Sequence, residues 1–119
     1  MNAYLLAVST KAPYHQSAAI DALEAAYAAT NVGIQVKILF LDDGVFQLIP
    51  DQNPQHIEHK NTFKKLCAMP LFDVEDIFAD SQSANARSVE LNLKDIPVQE
   101  LNAEQRIALI HNAAQVLVF

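Results

Sequence analysis

Residues 34–44 read Ile34-Gln35-Val36-Lys37-Ile38-Leu39-Phe40-Leu41-Asp42-Asp43-Gly44, and this stretch decides the fold class. It alternates at first, with Ile34, Val36 and Ile38 set against Gln35 and Lys37. It then turns wholly apolar through Leu39-Phe40-Leu41. Alternation giving way to an unbroken apolar run marks a strand covered on both faces, and Asp42-Asp43-Gly44 stops it with turn chemistry. Upstream, an Ala-rich segment from about Gln16 to Thr30 places Ile20, Leu23 and Tyr27 on one stripe with Ala19 and Ala26, which predicts a helix. Asn31 and Gly33 end it, as residues that tolerate left-handed backbone angles usually do. Before the helix, Leu5 to Ser9 is a second apolar run and a first strand.

Downstream the alternation of strand and helix continues. A long connection reaches about His56, and Phe63, Leu66 and Cys67 then share helical spacing until Pro70. Val74 to Ala79 reads as the third strand, followed by a short helix from Asp80 to about Arg87. Residues 88–98 allow two strands: Val89, Leu91 and Leu93 alternate, while Ile96-Pro97-Val98 is a rival that Pro97 would confine to a sheet edge. Asn102-Ala103-Glu104-Gln105 resembles a capping box opening a helix with stripe Ala103, Ile107, Ile110 and Ala114. Gln115-Val116-Leu117-Val118-Phe119 closes as an unbroken apolar strand. The expectation is one α/β domain over residues 1–119, with about five mostly parallel strands and helices on both faces.

Composition agrees and excludes several classes. The 119 residues are 51% hydrophobic, too apolar for a disordered chain, and the single Cys removes disulfide scaffolds and Cys-built zinc sites. No apolar run approaches the roughly 20 residues that span a bilayer. Tyr4 to Val8 has no basic residue before it, unlike a signal peptide, so a cytoplasmic location is expected. Fourteen acids against eight bases give a net charge of −6. The bases are scattered, Lys60, Lys64 and Lys65 being the one local group, so this chain is not expected to bind nucleic acid directly. A basic protein partner fits the balance better.

Ligands of open parallel sheets bind beyond the carboxyl ends of the strands. The loop Ser9 to His15 contains no glycine, so it lacks the backbone cradle for a pyrophosphate, and no nucleotide or other cofactor is expected. The connection from Asp42 to His56 exceeds the usual loop length and carries Val45, Phe46, Leu48 and Ile49. Those four either tuck under the sheet edge as a short helical turn or pack against another chain. His56 and His59 stand i,i+3 without an evident third ligand, and His15 and His111 are isolated, so no metal site is expected. Cys67, on an apolar helical stripe, reads as a small core hydrophobe rather than a reactive thiol. Asp80 is the sharpest negative. It ends a strand and begins a helix, where a cysteine would have its thiolate stabilised by the helix dipole. An aspartate there instead caps the first helical amides, and it cannot carry sulfur.

Several segments together carry a resemblance: the first strand with Ser9-Thr10, then Asp43-Gly44-Val45-Phe46-Gln47-Leu48, Thr62-Phe63-Lys64, Leu71-Phe72-Asp73-Val74-Glu75 and the terminal Val116-Leu117-Val118-Phe119. Over nearly the whole chain these resemble the DsrE/DsrF/DsrH-like sulfur-relay family, and within it the TusC (DsrF-like) subunit type. The resemblance implies a small flavodoxin-like α/β fold and a place in a hetero-oligomer with TusB-like and TusD-like partners. That complex hands persulfide sulfur, by way of sulfur-carrier proteins, toward 2-thiolation of tRNA wobble uridine; related DsrEFH assemblies act in sulfur oxidation. The family's sulfur-carrying Cys falls at Asp80 here, so no catalytic role is carried over. Val45, Phe46, Leu48, Ile49, Leu71 and Phe72 are the expected partner contacts. A sulfurtransferase acting through Cys67 is the rival enzyme reading, and a nucleotide- or flavin-binding module is the third.

Overall fold

The computed structural model describes residues 3–12, 18–49, 76–91 and 97–119, with side chains from Asp21 onward in the second stretch. The elements are β1 (Leu5–Ser9), α1 (Ala18–Asn31), β2 (Val36–Phe40), a 3₁₀ segment (Asp42–Leu48), β3 (Asp76–Asp80), α2 (Ser81–Ala86), β4 (Val98–Leu101), α3 (Ala103–Asn112) and β5 (Gln115–Val118). All five strands are parallel, in the order β4-β3-β2-β1-β5. The anticipated α/β architecture is therefore present. Between residues 88 and 98 neither of the alternative strands forms as placed: Val89 to Leu91 lie outside any strand, and the edge strand β4 starts at Val98, directly after Pro97, and runs to Leu101.

The strand order dictates where the helices go. Steps β1 to β2 to β3 to β4 move one way across the sheet, and the step β4 to β5 returns past all of them. Right-handed crossovers then put α1 and α2 on one face and α3 on the other. Side-chain parity confirms the division. The first face buries Ala7, Val36, Ile38, Phe40, Ile77 and Ala79 against Leu23 and Ala26 of α1, Val45 and Leu48, and Ala84 of α2. The second face buries Tyr4, Leu6, Val8, Leu39, Phe78 and Leu101, with Leu109, Ile110 and Ala113 from α3.

Local chemistry ends α1 where expected. Gly33 adopts φ 82°, which lets its amide and that of Ile34 turn back to the carbonyls of Thr30 and Ala29. The Asn102–Gln105 capping box forms in both directions at 2.9 Å.

Two expectations change. Ile107, placed by its spacing on the buried stripe of α3, is 60% exposed, and the helix docks through Leu109, Ile110 and Ala113 instead. The apolar run ending the chain reads as a buried strand, yet β5 is an edge strand in which Val118 is 67% exposed. Val116 and Val118 pair in register with Leu6 and Val8 and so share the α3 face. The geometry explains both results. Among the described residues this face carries one ten-residue helix, about 15 Å long, which crosses diagonally from the carboxyl end of β4 to the amino end of β5. It cannot cover a face five strands wide, roughly 19 Å between the outer strands.

Candidate functional site at the carboxyl edge of the sheet

β1, β2 and β3 end side by side, and a polar cluster lies at the ends of β2 and β3, reached through the Asp42 amide and Asp80. At its centre is Asp80, 1% exposed, the last residue of β3 and the N-cap of α2. Its Oδ2 accepts from the Ser83 amide at 3.0 Å and the Ser83 hydroxyl at 2.7 Å. Its Oδ1 accepts from Arg106 Nη1 of α3 at 3.0 Å, and the same nitrogen donates to Gln82 Oε1 at 3.1 Å. Both carboxylate oxygens are thus taken by donors, one of them a guanidinium with 24% of its side chain exposed. The pair joins the two faces: the strand end, the start of α2 and the first turn of α3 are held at one point. Charge-assisted bonds of this kind are the stronger class, and breaking either half strands the other.

Ser83 extends the cluster to β2. Its Oγ accepts from the Asp42 amide at 2.9 Å. Asp42 stands at φ 52°, in the left-handed region that Asp tolerates better than most residues, and opens the 3₁₀ segment there. Asp43 and Arg87 close the outer rim through a 2.8 Å ion pair.

The 3₁₀ segment lies against the end of β1. The Ser9 carbonyl accepts from the Leu41 amide at 3.0 Å, and Gly44 packs directly on that carbonyl. A Cβ at Gly44 would fall on the Ser9 oxygen and within 2.7 Å of its carbonyl carbon, so only glycine permits the approach. The turn reading of Gly44 missed this, because Gly44 is not at positive φ and the neighbour lies far off in sequence. Gln47 was likewise unforeseen. It is 0% exposed, and its Nε2 donates to Ser9 Oγ at 2.6 Å and to the Lys11 carbonyl at 2.9 Å. Among the described residues its Oε1 has no donor. Thr10 ties β1 to the chain end, its hydroxyl donating to the Phe119 carbonyl at 2.6 Å.

Of the four apolar residues in the Asp42–Ile49 connection, Val45 and Leu48 are 0% exposed and belong to this chain's own core. They have no surface to offer a partner, because the 3₁₀ turn tucks them under the sheet edge. Phe46 and Ile49 are only partly buried against the same cluster. Cys67, Leu71 and Phe72, with His15, His56 and His59, lie outside the described residues. His111 is exposed in the last turn of α3. Among the described residues no three His, Cys, Asp or Glu side chains gather as a metal site, and no helix is long and apolar enough to cross a membrane.

Chemically the cluster is a clamp. Around Asp80 it holds a hydroxyl, amides, a carboxylate and a guanidinium engaged with one another, and among the described residues no thiol.

Residues 3–119 match the DsrE/DsrF-like family. The chain is 32% identical to a "Protein TusC homolog" of Pseudomonas aeruginosa over 117 residues, 98% of each chain. It is 30% identical to a protein of the same name from Vibrio parahaemolyticus over 108 residues, 91% of this chain and 92% of that one. Among solved structures, the E. coli ychN protein superposes with a TM-score of 0.77 over 98% of this chain and 99% of that chain; at 16% identity this likeness concerns the fold alone. With that fold and those full-length matches, the chain belongs to the DsrE/DsrF-like family.

Proposed function

We propose that this protein is a non-catalytic subunit of a TusBCD-like sulfur-relay complex, one that passes persulfide sulfur toward 2-thiolation of tRNA wobble uridine. The relatives' shared name supports the choice of subunit. The observation that carries the reading is Asp80. Persulfide transfer needs a thiolate that attacks the outer sulfur of R–S–SH while the donor thiolate leaves. The side chain at the end of β3 is a carboxylate with both oxygens occupied and 1% exposure, so it has neither the atom nor the access for that step.

The chain's contribution is then positional. It offers apolar surface to TusB-like and TusD-like subunits and so sets the partner's thiol in place. Exposed Ile107, Val116 and Val118 on the thinly covered face support this reading, as do the partly buried Phe46 and Ile49. With a net charge of −6 the chain leaves tRNA phosphates to other components.

The test is co-expression with the TusB-like and TusD-like chains, followed by mass measurement of the intact assembly. A hetero-oligomer containing this chain is expected, and Phe46→Asp or Val118→Asp should weaken it. A lone monomer, or assembly indifferent to both substitutions, would refute the docking role.

A further inference from the structure

The sheet has two edges, and they are defended unequally. β4 follows directly on Pro97, which has no amide hydrogen to offer, and carries an exposed carboxylate, Glu100. A proline and a charge are two of the devices that keep an edge strand from pairing with another chain. β5, at the other edge, has neither. From Gln115 to Val118 it bears no charged side chain, in a chain whose net charge is −6, and Val116 and Val118 are 36% and 67% exposed.

The backbone of β5 fixes what can pair with it. Phe119 turns both its groups to β1, its amide donating to the Val8 carbonyl at 2.9 Å and its carbonyl accepting from the Thr10 amide at 3.0 Å. Backbone groups alternate in direction along a strand. With Val8 in register with Val118, it is Val116 and Val118 that direct their amides and carbonyls away from β1, and among the described residues no strand lies beyond them. Two donors and two acceptors, centred on Leu117, form a self-complementary set. A second copy laid antiparallel about a two-fold axis at Leu117 lets Val116 exchange both hydrogen bonds with Val118 of that copy, and Val118 with its Val116. The side chains then opposed are valine on valine, on the α3 face, and leucine on leucine, on the other, with no like charges to repel.

We infer that β5 pairs with β5 of a second copy of this chain, joining two five-stranded sheets into one. This goes beyond the relay role, which draws on the side chains of Val116 and Val118 above the sheet. The pairing uses the backbone of the same strand, in the plane of the sheet, and brings the valines of both copies into one apolar patch. A strand of four residues a side falls far short of the roughly 20–30 of a standard interface, so the dimer is weak, with a Kd on the order of 100 μM. Each copy carries a net charge of −6, so added salt tightens the pair, the reverse of its effect on a basic partner.

The experiment is sedimentation velocity on the full chain from micromolar to millimolar concentration, at low and high salt, where a monomer–dimer equilibrium is expected. Val118→Pro removes one outward amide from each copy and leaves the bonds to β1 intact, so it should weaken the dimer about tenfold or more. Val118→Thr, which keeps the amide and the branched shape, should dimerise as the parent does. The register is read by Leu117→Cys in a Cys67→Ser background. Opposed residues of a non-hydrogen-bonded antiparallel pair have Cα atoms about 4.5 Å apart, within disulfide reach, so oxidised glutathione should crosslink this variant and leave Gln115→Cys uncrosslinked. A monomer at every concentration, a Val118→Pro chain that dimerises like the parent, a dimer loosened by salt, or crosslinking through Gln115→Cys in preference to Leu117→Cys would overturn the inference. Co-expression with the TusB-like and TusD-like chains tests the relay role separately, so failure of one is distinguishable from failure of the other.

Discussion

The two faces of this sheet are built from different forces. On one, α1, α2 and the 3₁₀ segment bury a contiguous apolar cluster in which Leu23, Ile38, Phe40, Val45 and Leu48 are fully enclosed. On the other, α3 has no buried residue at all. It rests on the sheet through partly buried Leu109, Ile110 and Ala113 and is tied there by the Arg106–Asp80 pair and the Tyr4 hydroxyl on the Leu109 carbonyl. Apolar burial is non-directional and sums over area, so the first face is stiff and closed. A helix pinned at discrete points can lie over an incompletely covered surface, and that leaves apolar and polar regions beside it for other chains. The proposed docking role is served by such asymmetry.

The strongest challenge to the comparison is at Gly44, where the closed face is tightest. Gly44→Ala should cost about 3 kcal/mol or more, since the new methyl meets backbone rather than a movable side chain. Urea denaturation reads this directly, and a cost below ~1 kcal/mol would mean the 3₁₀ segment is not fixed against Ser9. A paired truncation sharpens the contrast. Leu23→Ala on the closed face should cost about 3 kcal/mol, and Leu109→Ala on the open face less than half of that. Equal costs would erase the difference between the faces.

The polar ties come next. Asp80→Ala removes an N-cap and leaves Arg106 without its carboxylate, a loss of about 2 kcal/mol. In a double-mutant cycle with Arg106→Ala the two losses should fall short of additive by about 1 kcal/mol. Strict additivity would show that α3 is not held there. The smallest effect is at Tyr4. Tyr4→Phe should cost about 1 kcal/mol through the lost bond to Leu109. Burial raises the Tyr4 phenol above its ordinary value, so folding favours the protonated form. That contribution is complete below about pH 10 and lost as pH rises through the raised value. The variant's stability should therefore fall less steeply in alkali than the parent's.

What could be read from the chain alone divides along the same line. Gly33 ending α1, Asn102 and Gln105 boxing the start of α3, and Asp80 capping α2 are exchanges within a few residues, and the residue types announce them. The run Ile34 to Leu41 reveals a strand buried on both faces because its neighbours are β1 and β3. The same logic misreads Val116 and Val118, since edge position follows from strand order, which is not a local property. Ile107 fails for a related reason: helical spacing defines a stripe, but the sheet chooses which stripe it meets. Arg106, Gln47 and the closeness of Gly44 to Ser9 all depend on residues at least 24 positions away. No pattern in their surroundings signals them.

The proposed non-catalytic role rests on Asp80, a buried carboxylate at the end of β3 with both oxygens engaged. The direct measurement is the intact mass of this chain after the reconstituted complex has turned over with a persulfide donor. The account predicts a mass unchanged from that of the unreacted polypeptide, while the partner's cysteine gains sulfur. Sulfur bound covalently to this chain, at Cys67 or elsewhere, would contradict it.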